Sequence, residues 1–484
     1  MTESNHLGDL DPREFRAALH RAADIAADYL ENPARYPVVP RVRPGDVRAL
    51  FPAAPPAAGQ PIDAILDDYR AAVEPNVTHW NHPGFMAYFS ITGSAPGVIA
   101  ELLTASLNVN AMLWRTGPAP TELEELACDW VRQMLDLPPE FRGHINDTAS
   151  IASMLAIAAA RHRAVPDLRS RGLAGRGDVP RLTVYASEHA HSSIDKAMLT
   201  LGLGLENLRK IPADTEFRMR LDALEAAIAE DRRAGAQPIA VVATAGTTST
   251  TSIDPIASIA AAAQREQLWL HVDAAYAGSA AVCPEYRALM PGLERADSIV
   301  TNPHKWMFVP VDCSVLLLRD PATLRAAFSL VPDYLRTTES GVTNLMDYGP
   351  QLGRRFRALK LWMVIRAFGV NGIRERIRRH CALAREFEAW LRADAGFEVV
   401  APVPFSTVCF RAVAPGAAGE ALDAINDRIL ESVNGDGSVF LSSTRLNGRT
   451  TLRLTIGNLK TQRSHVETAW RLLRAARLAH LAPR

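Results

Sequence analysis

The chain has 484 residues, 48% of them hydrophobic and 22% charged, and its formal net charge is zero at pH 7. This length predicts two or three domains, and the composition is that of a folded globular protein. The balanced charge argues against a nucleic-acid partner, and no apolar stretch reaches the roughly 18–20 residues that a membrane helix needs.

The cysteines and the first residues bear on the cellular compartment. The five cysteines are scattered and lack CxxC spacing, which predicts neither a disulfide framework nor a zinc site, and we expect no metal. The polar start, "MTESNHLGDLDPREF", lacks the apolar core of a secretory signal. Together these features predict a protein of the reducing cytoplasm.

The N-terminal segment, residues 1–88, is predicted to begin with a helix and to continue as an extended arm. Asp11 is placed as an N-cap, Pro12 stands in the first turn, and Glu14 follows three residues after the cap. The next stretch, "YPVVPRVRPGDVRALFPAAPPAAGQP", is rich in proline and should run extended. Because a helix and an arm cannot form a core alone, we expect this segment to wrap around the main domain or a second subunit.

The rest of the chain predicts an α/β fold in two parts. Residues 89–360 alternate helical patterns with continuous apolar runs such as "PIAVVATA" and "LWLHVDAA", which are typical of strands buried on both faces of a largely parallel sheet. Residues 361–484 start with a long Arg-rich helical pattern and continue with shorter strand patterns and a final helix. The sequence therefore predicts a large domain with a mostly parallel central sheet, a smaller C-terminal α/β domain and a helical N-terminal arm.

Polar side chains at the ends of the predicted strands mark a candidate site, because ligands bind beyond the carboxyl ends of such strands. Lys305, in "TNPHKWMFVP", is one of only five lysines beside 48 arginines, and a desolvated lysine amine can attack a carbonyl. Asp273 ends an apolar strand and should face a cation. His191 is suited to stacking on a flat ring or donating a proton, whereas Thr148 and Ser150 begin a helix whose free N–H groups can hold a phosphate.

Each of these signals alone has an ordinary structural explanation, such as a surface lysine or a helix cap. Together, a nucleophilic amine, an acid, a stacking ring and a phosphate cradle describe a pyridoxal phosphate site. A carboxylate about 4 Å from a pyridinium gains roughly 4 kcal/mol at an effective dielectric constant near 20. This is about three pKa units, enough for Asp273 to keep the ring nitrogen protonated.

Longer motifs carry a family resemblance. "HVDAAYAG", "TNPHKWMFVP", "ASEHAHSSIDKA", "QLGRRFRALKLW" and "VTHWNHPGFMAYF" resemble the pyridoxal-dependent group II decarboxylases, and within them the aromatic-L-amino-acid decarboxylases. The resemblance covers nearly the whole chain. It implies the pyridoxal-dependent fold type I, which is aspartate aminotransferase-like, and a homodimer that interlocks through its N-terminal segments and has its active sites at the subunit interface.

The resemblance also implies roles for individual residues. Lys305 would form the internal aldimine with the cofactor, and the other catalytic residues would be Asp273, His191 and Tyr334, which lies in a mobile loop over residues 329–349. The residues implied to bind pyridoxal 5'-phosphate are Thr148, Ala149, Ser150, His191, Thr248, Asp273, Ala275, Asn302, His304 and Lys305. The residues implied to bind the substrate are Trp80, Tyr88, Phe89, Ile91, Asn110 and Met112.

The implied activity is decarboxylation of an aromatic L-amino acid to its amine and carbon dioxide, through a quinonoid intermediate. An aromatic aldehyde synthase, a decarboxylase of a non-aromatic amino acid, an aminotransferase and a non-catalytic relative remain as alternatives. The pairing of Tyr334 with His191 favours the true decarboxylase. Asp147 stands where the family usually has glycine, and Asn110 and Met112 replace more apolar or aromatic residues of the pocket wall, so the preferred amino acid stays open.

Overall fold

The computed structural model describes residues 9–330, 339 and 341–481. The helices are α1 (Pro12–Glu31), α2 (Asp46–Ala49), α3 (Ile62–Asp68), α4 (Ala95–Leu107), α5 (Pro118–Met134), α6 (Ala149–Ala164), α7 (Leu168–Arg171), α8 (Ser193–Thr200), α9 (Leu221–Arg233), α10 (Ile256–Arg265), α11 (Pro284–Arg287), α12 (Pro303–Trp306), α13 (Pro321–Phe328), α14 (Ala358–Ala393), α15 (Gly419–Asp436) and α16 (Arg463–Leu481). The strands are β1 (Arg142–Asn146), β2 (Leu182–Ser187), β3 (Leu208–Ile211), β4 (Gln237–Thr244), β5 (Trp269–Asp273), β6 (Ser298–Thr301), β7 (Ser314–Leu318), β8 (Phe397–Val399), β9 (Thr407–Ala412), β10 (Ser442–Leu446) and β11 (Arg449–Thr455).

Within the described ranges these strands form two sheets. The large sheet has seven strands in the order β1-β7-β6-β5-β4-β2-β3, in which β3, β2, β4, β5 and β6 run parallel and β7 runs antiparallel to both of its neighbours. The small sheet has four antiparallel strands in the order β10-β11-β9-β8. The mostly parallel α/β fold predicted from the apolar runs is therefore confirmed.

The large sheet is buried on both faces, as the continuous apolar strands require. Every residue of β2, β5, β6 and β7 is buried. One face packs against a core that includes α5, α10 and the first half of α14, and the other face packs against α6, α8 and α13. Two hydrophobic layers thus hold the carboxyl ends of β4, β5 and β6 at one edge of the sheet.

The predicted start of the first helix is confirmed. Asp11 caps α1, because its Oδ1 accepts hydrogen bonds from the backbone N–H of Arg13 at 2.8 Å and of Glu14 at 3.4 Å. In this single chain α1 buries Ala18 and Ile25, whereas Phe15 remains 52% exposed. The helix therefore presents apolar surface that the described residues of its own chain leave uncovered.

The end of the N-terminal segment joins the small sheet. Met86 donates its backbone N–H to the carbonyl of Phe440 at 2.9 Å, and its carbonyl accepts from Thr455 of β11 at 2.9 Å. The Met86 side chain belongs to the hydrophobic core of that sheet. Met86 thus contacts the C-terminal part of the chain, because its backbone groups continue the hydrogen bonding of the small sheet.

Helix α14 passes from the large sheet to the small sheet. It starts at Ala358 and is bent at Gly369, where φ is +64°, a left-handed value that glycine adopts without strain. No helix within the described residues combines the length and the apolar character needed to cross a membrane.

Candidate active site

A cavity of about 200 Å³ lies at the edge of the large sheet where β4, β5 and β6 end. These three strands are parallel, and Thr244 at the end of β4 pairs directly with Asp273 at the end of β5. The residues that line the cavity are Phe89, Thr148, Ala149, Ser150, His191, Thr244, Gly246, Thr248, Asp273, Ala275, Tyr276, Asn302, His304 and Lys305. The site thus lies where parallel α/β sheets usually bind their ligands.

The structure brings together the ten residues that the sequence assigned to the cofactor, since all of them line this cavity. Of the residues assigned to the substrate, Phe89 lines it, and Trp80, Tyr88, Ile91, Asn110 and Met112 do not. Tyr334, assigned to catalysis, lies outside the described residues.

Lys305 projects its amine into the cavity from the short helix α12. Asn302 precedes this helix, Pro303 begins it, and the Lys305 N–H donates to the Asn302 carbonyl at 2.9 Å. Burial lowers the pKa of the Lys305 ammonium from its ordinary value, and the negative charge of Asp273 partly offsets this by raising it. The amine can therefore lose its proton more readily than a surface lysine and act as a nucleophile.

Asp273 places a carboxylate at the carboxyl end of β5, where only 6% of the residue is exposed. Among the described residues the backbone N–H of Ala275, at 3.1 Å from Oδ1, is its one hydrogen-bond donor. The other carboxylate oxygen, Oδ2, is therefore free to accept a hydrogen bond from a donor group in the cavity. A buried carboxylate needs such a partner, because an uncompensated buried charge is costly.

His191 lies in the turn between β2 and α8. The backbone N–H of Ser193 donates to the Nδ1 atom of His191 at 3.1 Å, and the Ser193 hydroxyl is 2.9 Å from the same atom. Because Nδ1 accepts, the proton of the neutral imidazole is on Nε2. Burial lowers the pKa of His191, so the flat imidazole ring is neutral and can donate a hydrogen bond from Nε2.

A set of hydrogen-bond donors lines the cavity at the start of α6 and at Asn302 and His304. Thr148 caps this 16-residue helix, and the free N–H groups of its first turn favour an anion. His304 Nδ1 accepts the N–H of Cys313 at 2.8 Å, and burial lowers the pKa of His304 to about 3. The neutral His304 ring therefore carries its proton on Nε2, as a donor. The Asn302 side-chain oxygen accepts from Ser314 at 2.7 Å, which leaves the amide N–H₂ as a further donor.

This donor set fits pyridoxal phosphate. The helix start, His304 and Asn302 match a phosphate, the free oxygen of Asp273 matches a protonated ring nitrogen, and the Lys305 amine matches an aldehyde. In addition, the Thr244 hydroxyl is buried beside the cavity and has no hydrogen-bond partner among the described residues. The residues at this edge of the sheet therefore suit the cofactor chemically.

The sequence reasoning missed three residues of the cavity wall, Thr244, Gly246 and Tyr276. Gly246 has φ of +87°, and a Cβ atom there would lie 2.7 Å from the Ala277 Cβ, so only glycine fits. The signal for it was the glycine directly after the apolar run "AVVATA". Tyr276 stands within the motif "HVDAAYAG", but a motif alone does not reveal which of its side chains faces the ligand.

Four of the five remaining substrate residues lie in two groups outside the cavity wall, and the fifth, Ile91, is half-buried in the irregular segment before α4. Trp80 and Tyr88 form an aromatic cluster with Phe440, in which the Trp80 and Tyr88 ring centroids are 6.0 Å apart. Asn110 donates to Met112 Sδ at 3.4 Å, and Met112 packs with Leu113 and Met346.

Comparison with known proteins agrees with this chemistry. The model of the pyridoxal-dependent decarboxylase conserved domain matches residues 44–413. The chain is 40% identical to aromatic-L-amino-acid decarboxylase of Sus scrofa, over 96% of each protein, and 39% identical to phenylacetaldehyde synthase of Arabidopsis thaliana, also over 96% of each. The crystal structure of Oryza sativa TDC with PLP and tryptamine is similar to it, with a TM-score of 0.94, 38% identity and coverage of 98% of this chain and 100% of that one.

These similarities extend over nearly the full length of the chain and include both sheets. They also agree with the fold type I architecture and with the cofactor inferred from the donor set of the cavity. The chain belongs to the pyridoxal-dependent decarboxylase family and is a pyridoxal phosphate-dependent amino-acid decarboxylase.

Proposed function

We propose that the chain converts an aromatic L-amino acid into its amine and carbon dioxide. The observation that carries the proposal is the single cavity lined by the Lys305 amine, the Asp273 carboxylate and the start of α6, with the Phe89 ring in its wall. The names of the relatives refer to an aromatic L-amino acid, to tryptamine and to phenylacetaldehyde. They supply the substrate class.

Pyridoxal phosphate, when bound, supplies an aldehyde carbon and a ring that accepts the electron pair released on loss of carbon dioxide. Lys305 would hold the cofactor through its amine. The free oxygen of Asp273 would accept the proton of the ring nitrogen in a hydrogen bond. His191, with its proton on Nε2, would lie beside the ring, and the start of α6 would bind the phosphate together with His304.

The substrate α-carbon must take up one proton after carbon dioxide has left. By the resemblance, the Tyr334 hydroxyl delivers this proton, with His191 beside it. This assignment rests on the resemblance alone, because Tyr334 lies outside the described residues. At the end of the loop predicted over 329–349, Leu345–Tyr348 form a short helical turn in which Leu345, Met346 and Asp347 are buried.

We also propose a homodimer with active sites at the subunit interface. Helix α4 exposes Ile99, Leu102 and Leu107, each more than 40% accessible, and Phe15 of α1 is similarly uncovered. A second copy would bury this apolar surface. It would also explain why Met112 lies away from the cavity of its own chain, since the residue would then reach the second subunit's cavity.

The cytoplasm is the compartment that fits this proposal. The five cysteines are free and buried, so the fold rests on no disulfide among them. Buried thiols persist in a reducing compartment, where disulfides are rare. Fractionation of cells that produce the protein would test this assignment, and its recovery from a secreted fraction would contradict it.

The function is tested by incubating the purified holoenzyme with L-tryptophan, L-tyrosine, L-phenylalanine and L-glutamate, and measuring amine, aldehyde and peroxide together. We expect amine from at least one aromatic substrate, with little peroxide and no product from glutamate. Aldehyde with an equal amount of peroxide would identify an aldehyde synthase instead. Turnover of glutamate alone would contradict the aromatic assignment.

Substitutions of Lys305 and Tyr334 test the roles proposed for these two residues. Lys305→Ala should abolish turnover and the covalent trapping of the cofactor by borohydride, whereas Lys210→Ala, which changes an exposed lysine paired with Asp195, should leave both intact. Tyr334→Phe should shift the product from amine toward aldehyde while leaving cofactor affinity unchanged. An unchanged product ratio would remove Tyr334 from the protonation step.

A further inference from the structure

Strand β5 carries a second buried polar residue beside Asp273. His271 precedes Asp273 by two positions, so both side chains leave the strand on the same face. The imidazole is fully buried, with Nδ1 at 2.9 Å from Ser298 Oγ and Nε2 at 3.0 Å from Ser153 Oγ. The ring thus connects β5, the neighbouring strand β6 and helix α6.

This link is neutral and its hydrogen bonding is complete. Burial lowers the pKa of His271 to about 4, so the ring is uncharged near pH 7 and has one donor and one acceptor nitrogen. Ser298 is the direct cross-strand partner of His271, and its hydroxyl also accepts the Trp269 Nε1–H at 2.8 Å. Every buried polar atom of such a network needs a hydrogen-bond partner. The side chains of Ser153, His271 and Ser298 therefore hold one another in a fixed arrangement.

Helix α6 is held against the sheet by apolar packing and by polar contacts at two points along its length. Its buried residues include four alanines, which interlock weakly because they have no side chain beyond Cβ, together with Leu155 and Ile157. At its C-terminal end Arg163 pairs with Asp297 at 3.0 Å and lies over the Trp269 ring of β5. Among the described residues, the Ser153–His271 hydrogen bond is the polar side-chain contact with the sheet that lies nearest the first turn of α6.

The position of α6 matters because the cavity spans from its first turn to Asp273. Ser150 and Ser153 are three residues apart and therefore share a face of the helix. A rigid ligand that is bound at Asp273 and at the start of α6 tolerates an error of only about 0.5 Å in their spacing. Whatever fixes α6 against β5 therefore fixes the dimensions of the site.

We infer that His271 is a positioning residue that, by holding Ser153, sets the distance between the phosphate-binding start of α6 and the Asp273 carboxylate. The inference rests on the proposed roles of these two groups in binding the cofactor. It adds a residue outside the cavity wall, since His271 is absent from the residues that line the cavity in the described part of the chain.

The test compares three variants that cut the link at different points. Ser153→Ala removes the contact with α6, His271→Asn keeps an amide near Ser298 but is too short to reach Ser153, and His271→Gln is long enough to reach Ser153. The readouts are the dissociation constant of pyridoxal phosphate and the circular dichroism that the protein induces in the bound cofactor. We expect Ser153→Ala and His271→Asn to weaken binding about tenfold, as the loss of one hydrogen bond does, and to change the dichroism band. His271→Gln should stay within about threefold of wild type.

The matched control is Ser279→Ala. Ser279 is fully buried, and its hydroxyl has no hydrogen-bond partner among the described residues, so its removal should change neither readout. Wild-type affinity and dichroism in Ser153→Ala would overturn the inference, and Ser153→Cys gives the same answer if the alanine variant does not fold. A wild-type protein that fails to bind the cofactor would instead contradict the proposed function.

Discussion

The Nζ atom of Lys305 lies 5.2 Å from the centroid of the Phe89 ring. This ring stacks on Tyr276, with centroids 3.9 Å apart and planes 10° apart, and Tyr276 stacks in turn on Trp306 at 4.4 Å. The Tyr276 hydroxyl is 2.6 Å from Ser406 Oγ. A continuous aromatic column therefore supports the cavity wall beside the amine.

Breaking this column should lower catalytic efficiency. Each stacked pair contributes about 0.5–1.5 kcal/mol beyond its buried area, so losing both contacts of Tyr276 would cost about 1–3 kcal/mol, or roughly 5–150-fold. We expect Tyr276→Leu to reduce kcat/KM for the aromatic substrate by that factor. Tyr276→Phe keeps the ring and should lose less than about fivefold. Equal losses in the two variants would assign the effect to the hydroxyl instead of the stack.

The Lys305 amine should react at a lower pH than an ordinary lysine. Burial lowers its pKa from 10.5, and Asp273 raises it again in part. Capture of the cofactor by apoenzyme needs the unprotonated amine, so the rate should rise with pH and reach half its maximum below pH 10.5. Asp273→Asn removes the charge that raises the pKa, so the midpoint should move lower still. Stopped-flow absorbance measures the rate, and a midpoint that moved upward would contradict this electrostatic account.

Much of the site could be predicted because its chemistry lies at strand ends. The apolar runs before Thr244 and Asp273 identify buried strands, and parallel strands bring their carboxyl ends to one edge. The antiparallel direction of β7 could not be predicted, since an apolar run such as "CSVLLLRD" looks the same in either direction. The position of Met112 could not be predicted either. It lies in an irregular segment, and tertiary packing decides which residues such a segment contacts. The domain boundaries at 88/89 and 360/361 stay predictions.

Asp147 should weaken cofactor binding in this chain. Its Oδ1 accepts the backbone N–H of Thr148 at 2.6 Å and the Thr148 hydroxyl at 3.2 Å, which are donors at the proposed phosphate site. A phosphate must therefore compete with this carboxylate and also bind close to its negative charge. We expect Asp147→Asn and Asp147→Gly to lower the dissociation constant of pyridoxal phosphate by about three- to tenfold, as the removal of one nearby like charge would.

The control for Asp147 is Asp24→Asn, which removes one negative charge from an exposed position on α1. It should leave the dissociation constant of pyridoxal phosphate unchanged. An effect of the overall charge of the protein can then be separated from an effect at the proposed phosphate site. Weaker binding in Asp147→Asn would mean that the carboxylate supports the first turn of α6 instead of competing with the phosphate.

A small cavity beside β1 should hold one water molecule. The His144 Nε2, Asn146 Nδ2 and Arg354 Nη1 atoms are buried without a hydrogen-bond partner among the described residues, and all three residues line this cavity of about 10 Å³, room for one water molecule. Arg354 already pairs with Glu124 at 2.8 Å, which favours a neutral occupant over an anion. Burial lowers the pKa of His144 to about 3, so its neutral ring can accept a hydrogen bond from a water that itself accepts hydrogen bonds from Asn146 and Arg354. A crystal structure should show one water within about 3.2 Å of all three atoms; an empty cavity, or an anomalous peak after a bromide soak, would contradict this.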